Sequence, residues 1–383
     1  MNKKHPKVYI IAGEASGDLL GMRLMKAMTE LYHDNISFVG IGGDAMHKEG
    51  FISLFPMQEL SLMGVFEILP HLPNLISRLN QTIDDIQKKK PDVVVTIDSP
   101  DFNFRVGRAV KKMGIPVVHY TMPSVWAWRE KRAEKVTQFL AKGLALLPFE
   151  PPYFTRHGLD CTFVGHPIVE SEGLKIKSNP FRKRHSISDE KPIVCVLPGS
   201  RKSELKYMLP IFSKTIQEVV KRHPDTIIVI PTFKHFREYI EEEVMSWGIP
   251  AIITIDPDEK YQAMHASNVA LAASGTVALE LAMLDVPMII GYKVNFLTAL
   301  IARALIKTKY VSLVNIILQK LVVPEYLQER CTPNLMALAL HEILHEKGKT
   351  QKKAFLELRK NLSHGDVLPS MKAAHAIKTL IEA

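Results

Sequence analysis

The stretch VYIIAGEASGDLLG, residues 8–21, predicts a buried strand, a glycine-rich turn and the start of a helix. Its apolar run is typical of a strand, and its three glycines, spaced four apart, open a helical pattern. Such a turn normally binds a phosphate through bare backbone N–H groups at the positive end of a helix. Glu14 and Asp18 lie inside the turn and would repel a phosphate. The turn therefore calls for a different ligand.

Strand-like apolar runs alternate with helical patterns along the rest of the chain, as in parallel α/β proteins. The runs are VYIIAG, SFVGIG, DVVVTID and PVVHYTM in the first half, then PIVCVLPG, TIIVIPT, AIITID, NVALAA and PMIIGY. We predict an α/β fold with two Rossmann-like, doubly wound domains facing across a crevice. Ligands should bind at the carboxyl ends of the strands.

A polar, basic stretch poor in large apolar residues separates the two halves, which is typical of a linker. The predicted segments are an N-terminal domain, a linker, a C-terminal domain and C-terminal helices that pack back on the N-terminal domain. Their boundaries are 1–170, 171–191, 192–345 and 346–383.

The 383 residues and the 46% hydrophobic content fit two globular domains with full cores. The three cysteines are scattered and lack C-x-x-C spacing, which argues against a disulfide framework or a zinc site. The N-terminal apolar run is too short for a signal peptide, and the most apolar region, residues 268–292, is interrupted by charges. We expect a cytoplasmic protein. Its net charge of +9 fits nucleic acid, an anionic membrane or phosphorylated ligands equally well.

Two loops in the second half have the features of an anion site. LPGSRKSEL, residues 197–205, follows a predicted strand and offers Gly199 for close backbone approach, the Ser200 hydroxyl and the Arg201 guanidinium. A helix cap beside a solvated arginine is the alternative.

The second loop, AASGTVALELAM at residues 272–283, places Ser274, Gly275 and Thr276 at a helix start, with Glu280 one turn further. Glu280 is suited to accept from both ribose hydroxyls, or else it is a partner of the helix dipole. Together the loops favour a nucleotide-diphosphate site. Asp256 and Asp258 resemble a metal-binding pair, but a helix cap before an apolar-periodic run is favoured, and no metal site is predicted.

Asp98 follows the run DVVVTID and should lie at the carboxyl end of a central strand, where burial would raise its pKa and suit it to general-base catalysis. Asp101, just beyond, is the better helix cap, although either acid fits both tasks. Trp126 and Trp128 precede a basic stretch, which suits a sugar, a phosphate or a lipid headgroup, or simple core packing beside a solvated helix.

The apolar segment LMGVFEILPHLPNLISRL, residues 62–79, is broken by Pro70 and Pro73 and makes a poor regular core helix. It predicts either an exposed patch for acyl chains or a membrane surface, or core residues joined by a kinked loop. The side chains predicted to make such contacts are Val65, Phe66, Ile68, Leu69, Leu72, Leu75 and Ile76.

Eight motifs in order resemble the lipid-A-disaccharide synthases, a bacterial GT-B glycosyltransferase family, from about residue 8 to 330. They are AGEASGD, IDSPDFNF, HYTMPSVWAWRE, LLPFEPPYF, FVGHP, LPGSRKSE, ASGTVALELA and KYVSLVNIILQ. The resemblance implies inverting transfer of 2,3-diacylglucosamine from UDP-2,3-diacylglucosamine to 2,3-diacylglucosamine 1-phosphate. The products would be a β-1,6 lipid A disaccharide 1-phosphate and UDP, made without metal or other cofactor.

The resemblance also implies peripheral binding to the cytoplasmic face of the bacterial inner membrane and no nucleic-acid partner; a homodimer stays open. Its motifs make Asp98 the candidate base and Arg201 a catalytic cation. The remaining implied donor residues are Gly199, Ser200, Glu204, Ser274, Gly275, Thr276, Glu280 and Asn315, and the acceptor residues are Glu14, Ser16, Gly17, Asp18 and Trp126. Val314 stands where the family usually has proline, which makes the placement of Asn315 less secure.

Two other functions remain as alternatives. A UDP-sugar epimerase shares the two-domain fold and the nucleotide loops but needs no lipid-facing patch. A basic protein that binds nucleic acid would bind DNA or RNA in a salt-dependent way.

Overall fold

The computed structural model describes residues 5–60, 65–128, 131–176, 179–305, 308–363 and 365–382. The chain forms two compact units: the first combines Met1–Pro167 with Leu362–Ala383, and the second is Ile168–Asn361. Each unit is built on a six-stranded sheet whose neighbouring strands are all parallel. The predicted α/β class with two Rossmann-like domains is confirmed.

The first sheet places three strands with functional sequence motifs side by side. Its strands are β1 (Lys7–Ala12), β2 (Ser37–Ile41), β3 (Val93–Ile97), β4 (Val117–Tyr120), β5 (Lys142–Ala145) and β6 (Asp160–Phe163), in the order β2-β1-β3-β4-β5-β6. Ala12 pairs with Ile97, and Ile97 pairs with Tyr120. The segments that follow β1, β3 and β4 therefore leave the sheet at one edge, next to one another.

Helices cover this sheet because their apolar faces need burial. They are α1 (Ala15–Leu31), α2 (Asp44–His47), α3 (Val65–Lys89), α4 (Pro100–Lys112), α5 (Val125–Trp128), α6 (Lys131–Thr137) and α7 (Pro152–Thr155). Leu24 and Met28 of α1 and Val106 and Val110 of α4, for example, are fully buried. They recur at helical spacing and pack into the core around the strands.

Helix α3 corrects the expectation of an irregular segment at residues 62–79. It begins at Val65 and continues through Pro70 and Pro73, although each proline removes a backbone donor. Its later turns are fixed by Ile86 in the core and by Arg78, which donates to both carboxylate oxygens of Glu59 at 2.7 Å. The packing of the later turns of α3 outweighs the preference of Pro70 and Pro73 against a helix.

The second sheet has the order β12-β11-β10-β7-β8-β9. Its strands are β7 (Ile193–Leu197), β8 (Ile227–Pro231), β9 (Ala251–Thr254), β10 (Val269–Ala272), β11 (Met288–Tyr292) and β12 (Glu325–Leu327). Leu197 pairs with Ala272 at the ends of the neighbouring strands β7 and β10, and the backbone N–H of Ala273 donates to the carbonyl of Leu197 at 2.8 Å. The loops after these two strands therefore start side by side.

The helices of the second unit begin within the stretch predicted as a linker. They are α8 (Phe181–Arg184), α9 (Lys202–Arg222), α10 (Arg237–Met245), α11 (Pro257–Ala266), α12 (Val277–Met283), α13 (Phe296–Leu305), α14 (Leu313–Leu318), α15 (Pro333–Glu342) and α16 (Gly348–Ser363). Phe181 of α8 is fully buried and packs with Ile187 and Val229 in the second unit. One turn of π-helix, Ile343–Lys347, joins α15 to α16.

The last helix, α17 (Pro369–Glu382), belongs to the first unit and packs on α1. Ala373, Ala374 and Ile377 are fully buried in the core of that unit. Among the described helices, none has both the length and the apolar character needed to cross a bilayer.

Candidate active site

Asp98 lies in a strained turn between β3 and α4. It follows Ile97 directly and has φ +53°, and Ser99 has φ +38°, so two successive residues other than glycine are left-handed. Asn103 holds this turn, since its buried amide donates to the carbonyls of Ile97 at 3.1 Å and Asp98 at 2.8 Å. Left-handed residues other than glycine cost on the order of 1–3 kcal/mol each and cluster at functional sites.

Burial raises the pKa of Asp98, and the hydroxyls of Ser16 and then Thr121 oppose that rise. Ser16, in the first turn of α1, donates to Oδ2 of Asp98 at 2.9 Å. Thr121 follows β4 and has φ +78°, a conformation that a β-branched residue rarely adopts. Polar residues from the segments that follow three adjacent strands therefore surround one carboxylate.

The glycines of the opening turn allow it to pack against this carboxylate. A Cβ on Gly13 would lie 2.0 Å from Oγ of Ser99, and a Cβ on Gly17 would lie 3.1 Å from Oδ2 of Asp98. Glu14 precedes α1 in an extended conformation, and its side chain is half-buried. The turn thus serves close packing beside Asp98, which explains its glycines without a phosphate.

Asp18 has a structural role at the start of α2. It is 5% exposed, and its carboxylate accepts from the backbone N–H groups of Gly43 at 2.8 Å, Ala45 at 2.7 Å and Met46 at 3.1 Å. A carboxylate at this position also complements the helix dipole. Sequence does not reveal which backbone donors a buried acid will satisfy, and the sugar contact of Asp18 stays a prediction.

Trp126 is held by a buried acid that the sequence analysis did not single out. Its indole N–H donates to Oε1 of Glu150 at 3.1 Å, and its ring meets Phe149 edge-on. Oε2 of Glu150 accepts from the backbone N–H groups of Leu146 and Leu147, both at 3.1 Å. Burial raises the pKa of Glu150 to about 7. The side chain of Trp128 lies outside the described residues.

The loop after β7 is shaped by Glu204. Gly199 has φ +132°, and a Cβ there would lie 2.5 Å from Cβ of Glu204. Oε2 of Glu204 accepts from the Ser200 N–H at 2.8 Å, while Oε1 lies 3.6 Å from Nη1 of Arg201 and 3.4 Å from the Tyr292 hydroxyl. Glu204, which the sequence analysis predicts to bind the donor, contacts both Ser200 and Arg201.

Arg201 stands at the N-terminus of α9 with its side chain 62% exposed. No hydrogen bond from the side chain of this N-cap residue satisfies the first backbone N–H groups of α9. An exposed guanidinium beside uncapped N–H groups at the positive end of a 21-residue helix has the features that suit an anion.

The loop after β10 adds a second helix start next to the first. The N-cap residue Thr276 makes no side-chain hydrogen bond to cap α12, and the space in front of Gly275 is open. Ser274 donates to the carbonyl of Val311 at 3.4 Å. The carboxylate of Glu280 accepts from Nζ of Lys260 at 2.7 Å and from the Tyr261 hydroxyl at 3.3 Å. Lys260 and Tyr261 of α11, which the sequence analysis did not single out, therefore join the polar residues around Glu280.

Asn315, predicted to lie near the donor, has its side chain engaged by hydrogen bonds within the protein. It is fully buried in α14; its amide N–H₂ donates to the Val323 carbonyl at 2.7 Å and to Glu325 at 2.8 Å. Its carbonyl oxygen accepts from the N–H groups of Val322 and Val323 at 2.8 and 2.9 Å. Glu325 also accepts from the N–H groups of Val311 and Ser312. Asn315 therefore supports the segment whose Val311 carbonyl meets Ser274.

Asp256 caps α11, as predicted. Its side chain accepts from the backbone N–H groups of Asp258 at 3.0 Å and Glu259 at 2.8 Å. The capping interpretation is confirmed for Asp256.

The predicted membrane patch is described only in part. The side chains of Val65, Phe66, Ile68, Leu69 and Leu72 lie outside the described residues, Leu75 is half-buried against the core, and Ile76 is 47% exposed. The sequence analysis missed a second apolar surface on α13, where Phe296 is 78% and Leu300 54% exposed. Large apolar side chains this exposed on one helix are suited to contact lipid.

The two parallel six-stranded sheets define a two-domain α/β protein with the fold of GT-B glycosyltransferases and related epimerases. Comparisons with known proteins narrow this class. The family described as Lipid-A-disaccharide synthetase matches residues 8–378. A lipid-A-disaccharide synthase from Rhodospirillum centenum is 47% identical over 378 residues, covering 98% of this chain and 94% of the relative. The chain belongs to the lipid-A-disaccharide synthase family and is a glycosyltransferase that forms the lipid A disaccharide.

Solved structures support the fold alone, because their identities are low. The glycotransferase of kitacinnamycin matches with a TM-score of 0.65 at 15% identity, covering 98% of this chain and 99% of its own. A UDP-GlcNAc 2-epimerase from Neisseria meningitidis, bound to UDP-GlcNAc, matches with a TM-score of 0.63 at 15% identity, covering 98% and 100%. The likeness to an epimerase is thus one of architecture, whereas the family relationship is one of sequence.

Proposed function

We propose that the enzyme transfers 2,3-diacylglucosamine from UDP-2,3-diacylglucosamine to the 6-hydroxyl of 2,3-diacylglucosamine 1-phosphate, with inversion at C1. The products are the β-1,6-linked disaccharide 1-phosphate and UDP. The observation that carries the proposal is the half-buried Asp98 carboxylate, held in a left-handed turn beside Ser16. Membership of the family supplies the reaction, and the geometry supplies a base for it.

In the first unit, Asp98 accepts the proton of the acceptor hydroxyl. Its raised pKa makes it a stronger base than an ordinary aspartate while it stays below the pKa of a hydroxyl. Ser16 and Glu14 bind sugar hydroxyls, and the face of Trp126 binds the sugar ring. Gly17 contributes close approach rather than a side-chain contact.

In the second unit, UDP is bound by the two helix starts. Arg201, with Ser200 and the backbone N–H groups at the start of α9, neutralises the diphosphate. A second set of hydrogen-bond donors comes from Ser274, Gly275 and Thr276. Glu280 accepts from the ribose hydroxyls, and Lys260 donates to the Glu280 carboxylate. The Neisseria meningitidis epimerase of similar fold binds UDP-GlcNAc, which supports a UDP-sugar donor here.

The chemistry is a single displacement through an oxocarbenium-like transition state. The O6–C1 bond forms as the bond from C1 to the diphosphate oxygen breaks, and the leaving electron pair goes to UDP. The O6 proton goes to Asp98. Arg201 and the helix starts stabilise the charge that develops on the diphosphate, which is where preorganised donors contribute most. One carboxylate suffices because inversion forms no covalent intermediate.

The acylated substrates imply work at the cytoplasmic face of the inner membrane, with peripheral attachment. The exposed Phe296 and Leu300 of α13 and the net charge of +9 support contact with an anionic lipid surface. Co-sedimentation with anionic vesicles tests this, with Phe296→Asp expected to reduce binding and Phe233→Asp, at another exposed phenylalanine, expected to leave it unchanged. Equal losses in both variants would argue against α13 as the contact.

The transfer reaction is tested with both acylated substrates and wild-type enzyme. Disaccharide and UDP should appear in equal amounts, and neither should appear when the acceptor is omitted. Conversion of the UDP-sugar alone to an epimer would instead support the epimerase alternative. Release of UDP without disaccharide would contradict the proposal.

A further inference from the structure

Three histidines of the second unit meet at a corner away from the loops after β7 and β10. They are His223 directly after α9, His341 in the last turn of α15, and His345 in the π-helical turn. Each offers a ring nitrogen, and these nitrogens all lie within 4.8 Å of one another. Nε2 of His223 lies 2.8 Å from Nδ1 of His341, and the ring centroids of His341 and His345 are 4.6 Å apart.

The fold explains how histidines distant in sequence come together. Helix α15 packs along α9, so His341 lies beside His223 although 118 positions separate them. His345 follows four residues after His341 on the same side of the helix, where side chains at that spacing are neighbours. The wider π-helical turn that contains His345 is a feature frequently found at functional sites.

We propose that His223, His341 and His345 bind one divalent transition-metal ion of the zinc class through their imidazole nitrogens. Imidazole is a preferred ligand of zinc, copper and nickel, and three histidines with a fourth position left to water form a known type of zinc site. Zinc–nitrogen bonds of about 2.0–2.1 Å require ligand nitrogens roughly 3.3 Å apart in a tetrahedral site. The observed nitrogens need only small side-chain rotations to reach that spacing.

The protonation of the group favours binding of a cation. The hydrogen bond between His223 and His341 requires a ring nitrogen that accepts, so at least one of the two rings is neutral. A neutral imidazole is the form that binds a metal. Arg222, next to His223 in sequence, opposes a bound cation, and the exposure of His345 to solvent moderates that effect.

The position of the group separates it from donor binding. Arg201 and His223 flank opposite ends of α9, whose 21 residues span about 30 Å at 1.5 Å per residue. An ion at His223 therefore does not reach the diphosphate site. It would join the end of α9 to α15 and the π-helical turn, and so stabilise the second unit. This inference does not depend on the proposed substrates.

The test is calorimetric titration of metal-free protein, with its purification tag removed, using zinc chloride. We expect one ion per chain and a higher melting temperature with zinc. Mutation of a residue that only hydrogen-bonds to a metal ligand typically costs about 10- to 100-fold in metal affinity. Because His341→Ala and His345→Ala each remove a ligand itself, each should weaken zinc binding by at least about tenfold. His235→Ala is the matched control, since His235 is an exposed histidine of the same unit outside the group.

Copper-loaded protein gives a second readout that does not depend on stability. Electron paramagnetic resonance should show nitrogen coupling from imidazole ligands, reduced in His345→Ala, whose exposed side chain makes misfolding a minor concern. Absence of stoichiometric zinc binding by wild-type protein would overturn the proposal. So would full binding by His345→Ala, or an equal loss in His235→Ala.

Discussion

Oγ of Ser16 lies 2.9 Å from Oδ2 of Asp98, so the first turn of α1 and the end of β3 share one hydrogen bond. The opening glycine turn and the candidate base are thereby parts of one arrangement, although 82 positions separate the two residues.

Asp98→Asn should reduce kcat about 10²- to 10⁴-fold, the range that general-base catalysis supplies. The amide keeps the shape of the side chain but cannot take the hydroxyl proton. Steady-state formation of disaccharide measures the loss. Asp101→Asn is the matched control, because Asp101 belongs to the same motif but is 96% exposed and pairs with Arg132. Near-normal turnover by Asp98→Asn would remove Asp98 from the mechanism.

The pH dependence of kcat/KM should show an acid limb above 3.8, the ordinary aspartate value, because burial raises the pKa of Asp98. The ionised form is disfavoured in the fold, so it lowers stability once the pH exceeds the unfolded-state pKa. Asn at this position should therefore raise the melting temperature at neutral pH, and that gain should shrink in acid. A melting temperature that falls at neutral pH would contradict the assigned cause.

Arg201→Ala should reduce kcat about 10²- to 10³-fold, as removal of one preorganised donor typically does. The guanidinium is exposed, so folding should be unaffected. Arg237→Ala, at another exposed arginine at a helix start, serves as control. Comparing kcat with the Kd for UDP separates stabilisation of the leaving group from simple binding; unchanged values of both would exclude Arg201 from the donor site.

Asn315→Ala should lower the free energy of unfolding rather than abolish substrate contacts. It leaves the buried N–H groups of Val322 and Val323 without their acceptor, at a cost of about 1–3 kcal/mol for each unsatisfied group. Urea unfolding measures the change, and the Kd for UDP should weaken only as far as the loop around Val311 loosens. Unchanged stability of Asn315→Ala together with a large loss of UDP affinity would instead support direct contact of Asn315 with the donor.

Gly13→Ala should impair activity because its Cβ would lie 2.0 Å from Oγ and 2.4 Å from Cβ of Ser99. The double variant Gly13→Ala with Ser99→Gly removes both contacting atoms and should recover much of the loss. A double-mutant cycle on kcat measures the coupling between the two positions. Purely additive effects would contradict the close approach.

Sequence predicted best where local pattern determines position. The apolar run before Asp98 places that carboxylate at a strand end, and the run before Gly199 places its loop at another. Asp256 was identified as a cap because its donors lie two and three residues further along. In each case the deciding contacts are close in sequence.

Sequence predicted least where backbone groups distant in sequence determine the hydrogen bonds of a polar side chain. Asp18 satisfies donors 25 to 28 positions away, and Asn315 satisfies a returning loop, so neither burial is visible in a motif. Residue type indicated polar function at both positions but could not say whether the partner is a ligand or the protein's own backbone. The same limit hid Glu150, whose contact with Trp126 spans 24 positions.

The packing of α17 on α1 has a consequence for synthesis on the ribosome. Ala373 and Ile377 complete the core that β1 belongs to. The second unit lies in sequence between the two segments of the first unit. The N-terminal part cannot reach its final packing until the last helix has left the exit tunnel. During translation, the apolar face of α1 that α17 covers stays exposed until α17 has been synthesised, and such exposed apolar surface favours aggregation.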